Sequence, residues 1–157
     1  MTTKNQHEVG DDALARQRLR LWLQMLKAVR HVEGTLRDKL RSGYDTTLPR
    51  FDVMAALYAN PEGMKMSELS QHLVVSNGNV TGVVERLVNE GLAVRENMAS
   101  DRRAFLVKIT EKGSKLLDVM TAEHLSWIDE MFANVPETDA ARGISIMLDV
   151  RNKQPRP

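Results

Sequence analysis

Asp101-Arg102-Arg103 places an aspartate and two arginines on three consecutive positions. Guanidinium groups are planar, permanently charged forks that suit phosphate oxygens and base edges. A carboxylate two residues from Arg103 can pair with it and hold its guanidinium in one pose. About twenty residues earlier lies a run of small polar residues, Ser76, Asn77, Gly78, Asn79, Thr81 and Gly82, followed by Arg86. Asn and Thr side chains are donors and acceptors short enough to read base edges at close range.

Other chemistries find less support. The four histidines, His7, His31, His72 and His124, are scattered, and none stands in a metal-binding motif. Glu123-His124 could donate to a metal, but no local set of three or four ligands accompanies it. With no cysteine, disulfides, thiolate zinc sites and cysteine redox switches are excluded. No Gly-rich phosphate loop, nucleophile elbow or paired-carboxylate motif is present. The chain is therefore read as a non-enzyme with neither cofactor nor metal.

The elements that must position these residues follow from periodicity. Trp22, Met25, Leu26, Val29, Val32, Leu36 and Leu40 recur at spacings of three and four, predicting one long helix over residues 12–41 closed by Ser42-Gly43. An apolar stripe of that length needs a partner, and a second chain is the simple one. Pro49 suits the first turn of a second helix whose apolar face holds Phe51, Met54, Leu57 and Tyr58. Met64-Lys65-Met66 reads as a short extended segment. Ser67 is the expected cap of a third helix that contains Leu69 and Leu73 and ends near Val74. Ser76 is the expected cap of a fourth, which runs to Gly91. Two helices joined by about three residues form a helix-turn-helix.

On the fourth helix, Val80, Val83, Val84, Leu87 and Val88 fall on one face. Gly78, Thr81, Gly82, Glu85, Arg86 and Asn89 fall on the other. Each glycine costs about 1 kcal/mol against alanine inside a helix. Core packing does not demand outward glycines, whereas close approach to another surface, such as a DNA groove, does. A plain amphipathic helix of poor propensity is the bland alternative.

After Gly91 the period changes. Residues 92–96 and 103–109 predict two strands around a polar loop, with Arg95 on the first. Thr110 caps a fifth helix striped with Leu117, Met120, His124, Trp127 or Ile128, and Met131. Pro136 ends it, and a last helix over 137–150 carries Ile144, Met147 and Leu148. A charged hairpin behind a helix-turn-helix reads as a wing, whose arginine gains from the negative potential of a narrow minor groove. Taken alone, it is an ordinary exposed hairpin.

The formal charge is only +1, but residues 13–50 carry an excess of six positive charges and residues 110–157 are net acidic. Solvated helix faces explain such a split as readily as a charged partner does. No apolar run approaches the roughly 20 residues of a spanning helix. Residues 1–12 lack an apolar signal core and are expected to be a disordered arm. The expectation is a cytoplasmic protein with a tail at 151–157.

Met66-Ser67-Glu68-Leu69-Ser70, Val75-Ser76, Val80-Thr81, Glu85-Arg86-Leu87 and Glu90-Gly91-Leu92 together resemble the MarR family of bacterial regulators. So does Asp101-Arg102-Arg103 followed by Ile109-Thr110-Glu111-Lys112-Gly113. The resemblance covers residues 13–150. It implies a mainly α fold with a small β-hairpin wing: a winged helix-turn-helix at 48–110 between dimerisation helices at 13–41 and 111–150. It implies a homodimer on a palindromic operator in double-stranded DNA, a recognition helix over 76–89, and Arg103 in the minor groove oriented by Asp101.

The expected DNA contacts are Ser76, Asn77, Gly78, Asn79, Thr81, Gly82, Arg86, Arg95, Asp101, Arg102 and Arg103. The resemblance further implies a repressor released by a small aromatic ligand, and the basic first third extends that class to aromatic acyl-CoA; the competing reading of those arginines is that the first helix touches the DNA phosphate backbone. His31, Arg50, Phe51 and Met54 are the expected ligand residues. Family members often carry Arg or Lys where this chain has Asn77 and Gly82. The competing reading is a winged helix that binds protein and not DNA.

Overall fold

The computed structural model describes residues 5–72, 77–98 and 101–152, and side chains within 12–72, 80–97 and 105–152. Its elements run α1 (Asn5–Tyr44), α2 (Leu48–Ala59), α3 (Met66–His72), α4 (Asn77–Asn89), β1 (Ala93–Met98), β2 (Asp101–Ile109), α5 (Glu111–Met131) and α6 (Glu137–Asn152). The fold is thus mainly helical with one antiparallel hairpin, as the periodicities predict. The chain divides into two compact units, Met1–Thr121 and Ala122–Pro157.

Helix α1 departs from expectation at both ends. It starts at Asn5, inside the segment expected to be a disordered arm. It also runs through Ser42-Gly43 and stops at Tyr44. The stop belongs to Asp45, whose φ of 46° is left-handed. Its N–H donates to the Arg41 carbonyl at 3.1 Å, the bond of an αL cap, and Thr46 N–H adds a second to Leu40 O at 3.3 Å. Aspartate tolerates this conformation better than most residues, so Gly43 is free to stay helical.

Helix α4 ends as expected at Gly91, with φ 71°. Gly91 N–H donates to Val88 O and Leu92 N–H to Leu87 O, the paired bonds of a Schellman motif. Helix α3 begins one residue before its expected cap. Lys65 N–H donates to the Glu68 carboxylate at 2.7 Å, so the acid three residues on closes the turn instead of Ser67. The expected inward Leu73 lies outside the described residues.

The core of the first unit joins Leu40, Val53, Met54, Leu57, Leu69, Val80, Val84, Leu87, Val107 and Met120, all fully buried. In the hairpin Ala93 pairs with Ile109 and Asn97 with Phe105, and the register shifts after Asn97 so that Met98 faces Asp101. Met64 adds one bridge on the other side of β2: its N–H and carbonyl both bond Val107, at 3.0 and 2.9 Å. The extended segment is therefore real, though one residue long.

The turn into α5 explains the Ile-Thr-x-x-Gly spacing. Thr110 Oγ1 donates to Gly91 O at 2.7 Å and accepts from Gly113 N–H at 3.1 Å. A Cβ on Gly113 would stand 2.2 Å from Leu92 O, so no other residue permits this approach.

The apolar stripes of the terminal helices are covered unevenly. On α1, Leu36 and Leu40 are buried, whereas Trp22 and Val29 are more than half exposed. Helix α6 buries no residue and leaves Ile144, Leu148 and Val150 exposed. Among the described residues, no helix is long and apolar enough to cross a membrane.

Candidate nucleic-acid interface

Helix α4 presents the two faces its sequence predicts. Val80, Val83, Val84 and Leu87 are buried, and Thr81, Gly82, Glu85, Arg86 and Asn89 are exposed. A Cβ built on Gly82 meets nothing within 4 Å. Internal packing therefore does not require this glycine. The helix starts at Asn77, so Asn77, Gly78 and Asn79 form its first turn. Their side chains, and all of Ser76, lie outside the described residues.

Of the two places expected for Asp101, Arg102 and Arg103, the hairpin tip and its return strand, the structure has the second: they open β2. Their side chains lie outside the described residues, so the Asp101–Arg103 pairing stays an expectation. Arg95 is placed in full. Its guanidinium carbon stands 4.9 Å from the Phe105 ring centroid, and Nη2 stands 3.8 Å from the Glu85 carboxylate on α4. Arg95 thus ties the hairpin to the outer face of α4. On the same hairpin Lys108 pairs with Glu96 at 2.8 Å, and that bond raises the lysine's pKa.

The four expected ligand residues lie in different surroundings. Phe51 and Met54 are buried in the core, and His31 is exposed on α1. Arg50 instead lines a cleft of about 380 Å³ together with Arg37 and Arg41 of α1, Thr47 at the start of α2, and Gly82 and Arg86 of α4. Arg50 is mostly buried and pairs with Glu90, while its Nε is buried with no hydrogen-bond partner.

Three features escaped sequence reasoning. Glu90 receives Arg50 on its carboxylate and Lys112 Nζ on its carbonyl, at 2.8 Å for the latter, joining α2, α4 and α5. Nothing in a one-dimensional pattern marks it. Arg37 and Arg41 come to the edge of α4, and the available signal was their four-residue spacing just before the α2 start. Tyr58 bonds Asp118 of α5, which raises the phenol's pKa. No group of three metal-capable side chains occurs among the described residues. His124 packs beside Trp127, with ring centroids 6.5 Å apart, and burial lowers its pKa.

Comparison with known proteins gives this geometry a family. A model described as MarR family matches residues 44–104, from the end of α1 into β2. The crystal structure of a MarR family transcriptional regulator from Silicibacter pomeroyi superposes with a TM-score of 0.74 at 32% identity, covering 87% of this chain and 94% of that one. The chain belongs to the MarR family. It is accordingly a winged-helix, DNA-binding transcriptional regulator. An uncharacterized HTH-type transcriptional regulator of Bacillus subtilis (strain 168), YkoM, is 30% identical over 103 residues, which is 66% of this chain and 65% of the relative. The MarR family transcriptional regulator Sco3205 from Streptomyces coelicolor, solved in complex with DNA, has the same fold: TM-score 0.76, 20% identity, 90% of this chain and 89% of that one covered.

Proposed function

We propose that this MarR-family regulator is a cytoplasmic homodimer that represses transcription from a palindromic operator and leaves it when a small aromatic or aromatic acyl-CoA effector binds. The observation that carries the DNA-facing part is the outer face of α4. Thr81, Gly82 and Arg86 are exposed together, and Gly82 has open space where a side chain would be. A helix so shaped can lie deep in a major groove with short polar groups near base edges. The hairpin that follows supplies Arg103 for the adjacent minor groove, with Asp101 to orient it. The dimer is supported by the exposed apolar residues of α1 and α6, which a single chain leaves in water. The effector part rests on the family resemblance.

The test is a fluorescence-anisotropy titration of the duplex upstream of the protein's own coding sequence against a scrambled duplex. Arg103→Ala should weaken binding at least tenfold, and Asp101→Ala should do so to a smaller extent. Unchanged affinity in both variants would sink the wing assignment. Equal, weak binding of both duplexes by the wild type would favour a protein-binding winged helix instead. Calorimetry with aromatic acids and their thioesters checks the effector. A true effector lowers DNA affinity by its differential affinity for the two states, typically about 1–3 kcal/mol.

A further inference from the structure

The cleft between the end of α1, the start of α2 and the outer face of α4 is a concentration of positive charge with little to balance it. Arg37, Arg41, Arg50 and Arg86 all line it. Arg50 is answered by Glu90. Arg37, Arg41 and Arg86 have no acidic partner among the described residues, and all three are exposed. Like charges four residues apart on a helix, as Arg37 and Arg41 are, destabilise it by a few tenths of a kcal/mol. Only Arg41 is placed in the last turn of α1, where the helix dipole offsets its charge.

The α2 side adds to the same potential. Thr47 is extended and makes no side-chain cap bond, and the first turn of α2 holds no acid. Thr47, Leu48 and Pro49 all line the cleft, so the positive end of the helix dipole faces it uncompensated. The buried Nε of Arg50 is a further donor without an acceptor.

We infer that this cleft seats a phosphoryl oxyanion. Guanidinium forks, a helix N-terminus and a threonine are the donor set such a group takes. The volume of about 380 Å³ admits it together with water. Its source follows from Gly82 and Arg86, which line the cleft and also belong to the outer face of α4. With α4 in a major groove, the backbone phosphate flanking that groove is the oxyanion within reach. The inference rests on the DNA-binding reading above. It moves Arg37 and Arg41 of the first helix from the dimer side of the molecule into the nucleic-acid interface. A soluble phosphate ester offers the same chemistry and would compete for the seat.

The experiment compares wild type with the double variant Arg37→Gln/Arg41→Gln, and with Arg20→Gln on α1 outside the cleft as control. All three positions are exposed, and circular dichroism melts verify folding. Operator affinity is measured between about 50 and 200 mM salt, where each phosphate contact contributes roughly 0.9 to the log–log slope. The double variant should lose one to two contacts' worth of slope, shrinking the salt-induced loss of affinity by about 3- to 10-fold. Its preference for operator over scrambled duplex should be unchanged, and the control should match wild type.

In the second arm pyrophosphate is titrated into DNA-free protein by calorimetry. Binding by wild type and not by the double variant supports the cleft with a soluble source, including the case where wild type binds no duplex and the DNA reading itself has failed. An unchanged slope together with no pyrophosphate binding overturns the inference.

Discussion

Arg95 and Phe105 face each other within the hairpin, the guanidinium carbon 4.9 Å from the ring centroid, while the same guanidinium reaches toward Glu85 on α4. The wing and the outer face of the fourth helix are therefore coupled through one cation. An exposed cation–π contact contributes about 0.5–1 kcal/mol. Phe105→Leu keeps an apolar side chain on the strand but removes the ring. The expected outcome is a two- to fivefold loss of operator affinity with a melting temperature lowered by only a few degrees. An affinity equal to wild type would show that holding Arg95 over the ring does not matter for DNA.

Gly82 offers a cleaner separation of folding from binding. A methyl group there meets nothing within 4 Å among the described residues. Alanine should stabilise α4 by about 1 kcal/mol, the usual gain over glycine in an exposed helix interior. If α4 closes tightly on DNA, Gly82→Ala should nevertheless weaken operator binding by tenfold or more. Denaturant melts and anisotropy on the same sample read both effects. A variant that is more stable and binds as well as wild type would remove close approach as the reason for the glycine.

Much of this was legible because local signals agreed with one another. The valine and leucine pattern of α4 gave both of its faces. The Thr110 and Gly113 spacing anticipated a turn whose geometry excludes any side chain at the glycine. What the sequence hid was tertiary. Arg50 was expected beside Phe51 and Met54, yet Arg50 and Phe51 are adjacent on the helix and point apart, and although Met54 shares a face with Arg50 one turn on, the long arginine side chain turns away to reach Glu90. The core took Phe51 and Met54, and Arg50 went to the cleft and to Glu90. The stop of α1 was misread because Gly43 is the stronger C-cap signal, whereas the left-handed residue is Asp45.

Asp52 gives a pH prediction. Burial, followed by the negative charge of Glu33, raises its pKa above the ordinary 3.8. The folded state therefore binds this proton more tightly than the unfolded state. Stability falls as pH rises from the unfolded value through the raised folded value, and the penalty is fully present above both. Asp52→Asn should accordingly be more stable than wild type at pH 7, and the difference should shrink as the pH drops toward 4. Urea midpoints across that range check it. A variant less stable than wild type at neutral pH would mean that the carboxylate makes a favourable contact which outweighs its desolvation.

The terminal helices give the last prediction. Trp22 and Val29 on α1, and Ile144, Leu148 and Val150 on α6, expose large apolar surfaces. Single exposed leucines are ordinary, but stripes of them on two helices are characteristic of an interface. At about 25 cal/mol per Å² of apolar surface covered, a standard interface outweighs the entropy of association only if its centre is well packed. A charge placed at that centre should therefore be decisive. Ile144→Glu combined with Leu148→Glu adds two desolvated carboxylates per protomer if the stripe is covered, and almost nothing if it is not. Sedimentation should show a dimer for wild type at micromolar concentration and a monomer for the double variant. Because two-fold operators engage both recognition helices, the monomer should lose operator affinity by far more than tenfold while its secondary structure persists. A wild-type monomer, or a double variant that stays dimeric, would show that these faces are not what joins the subunits.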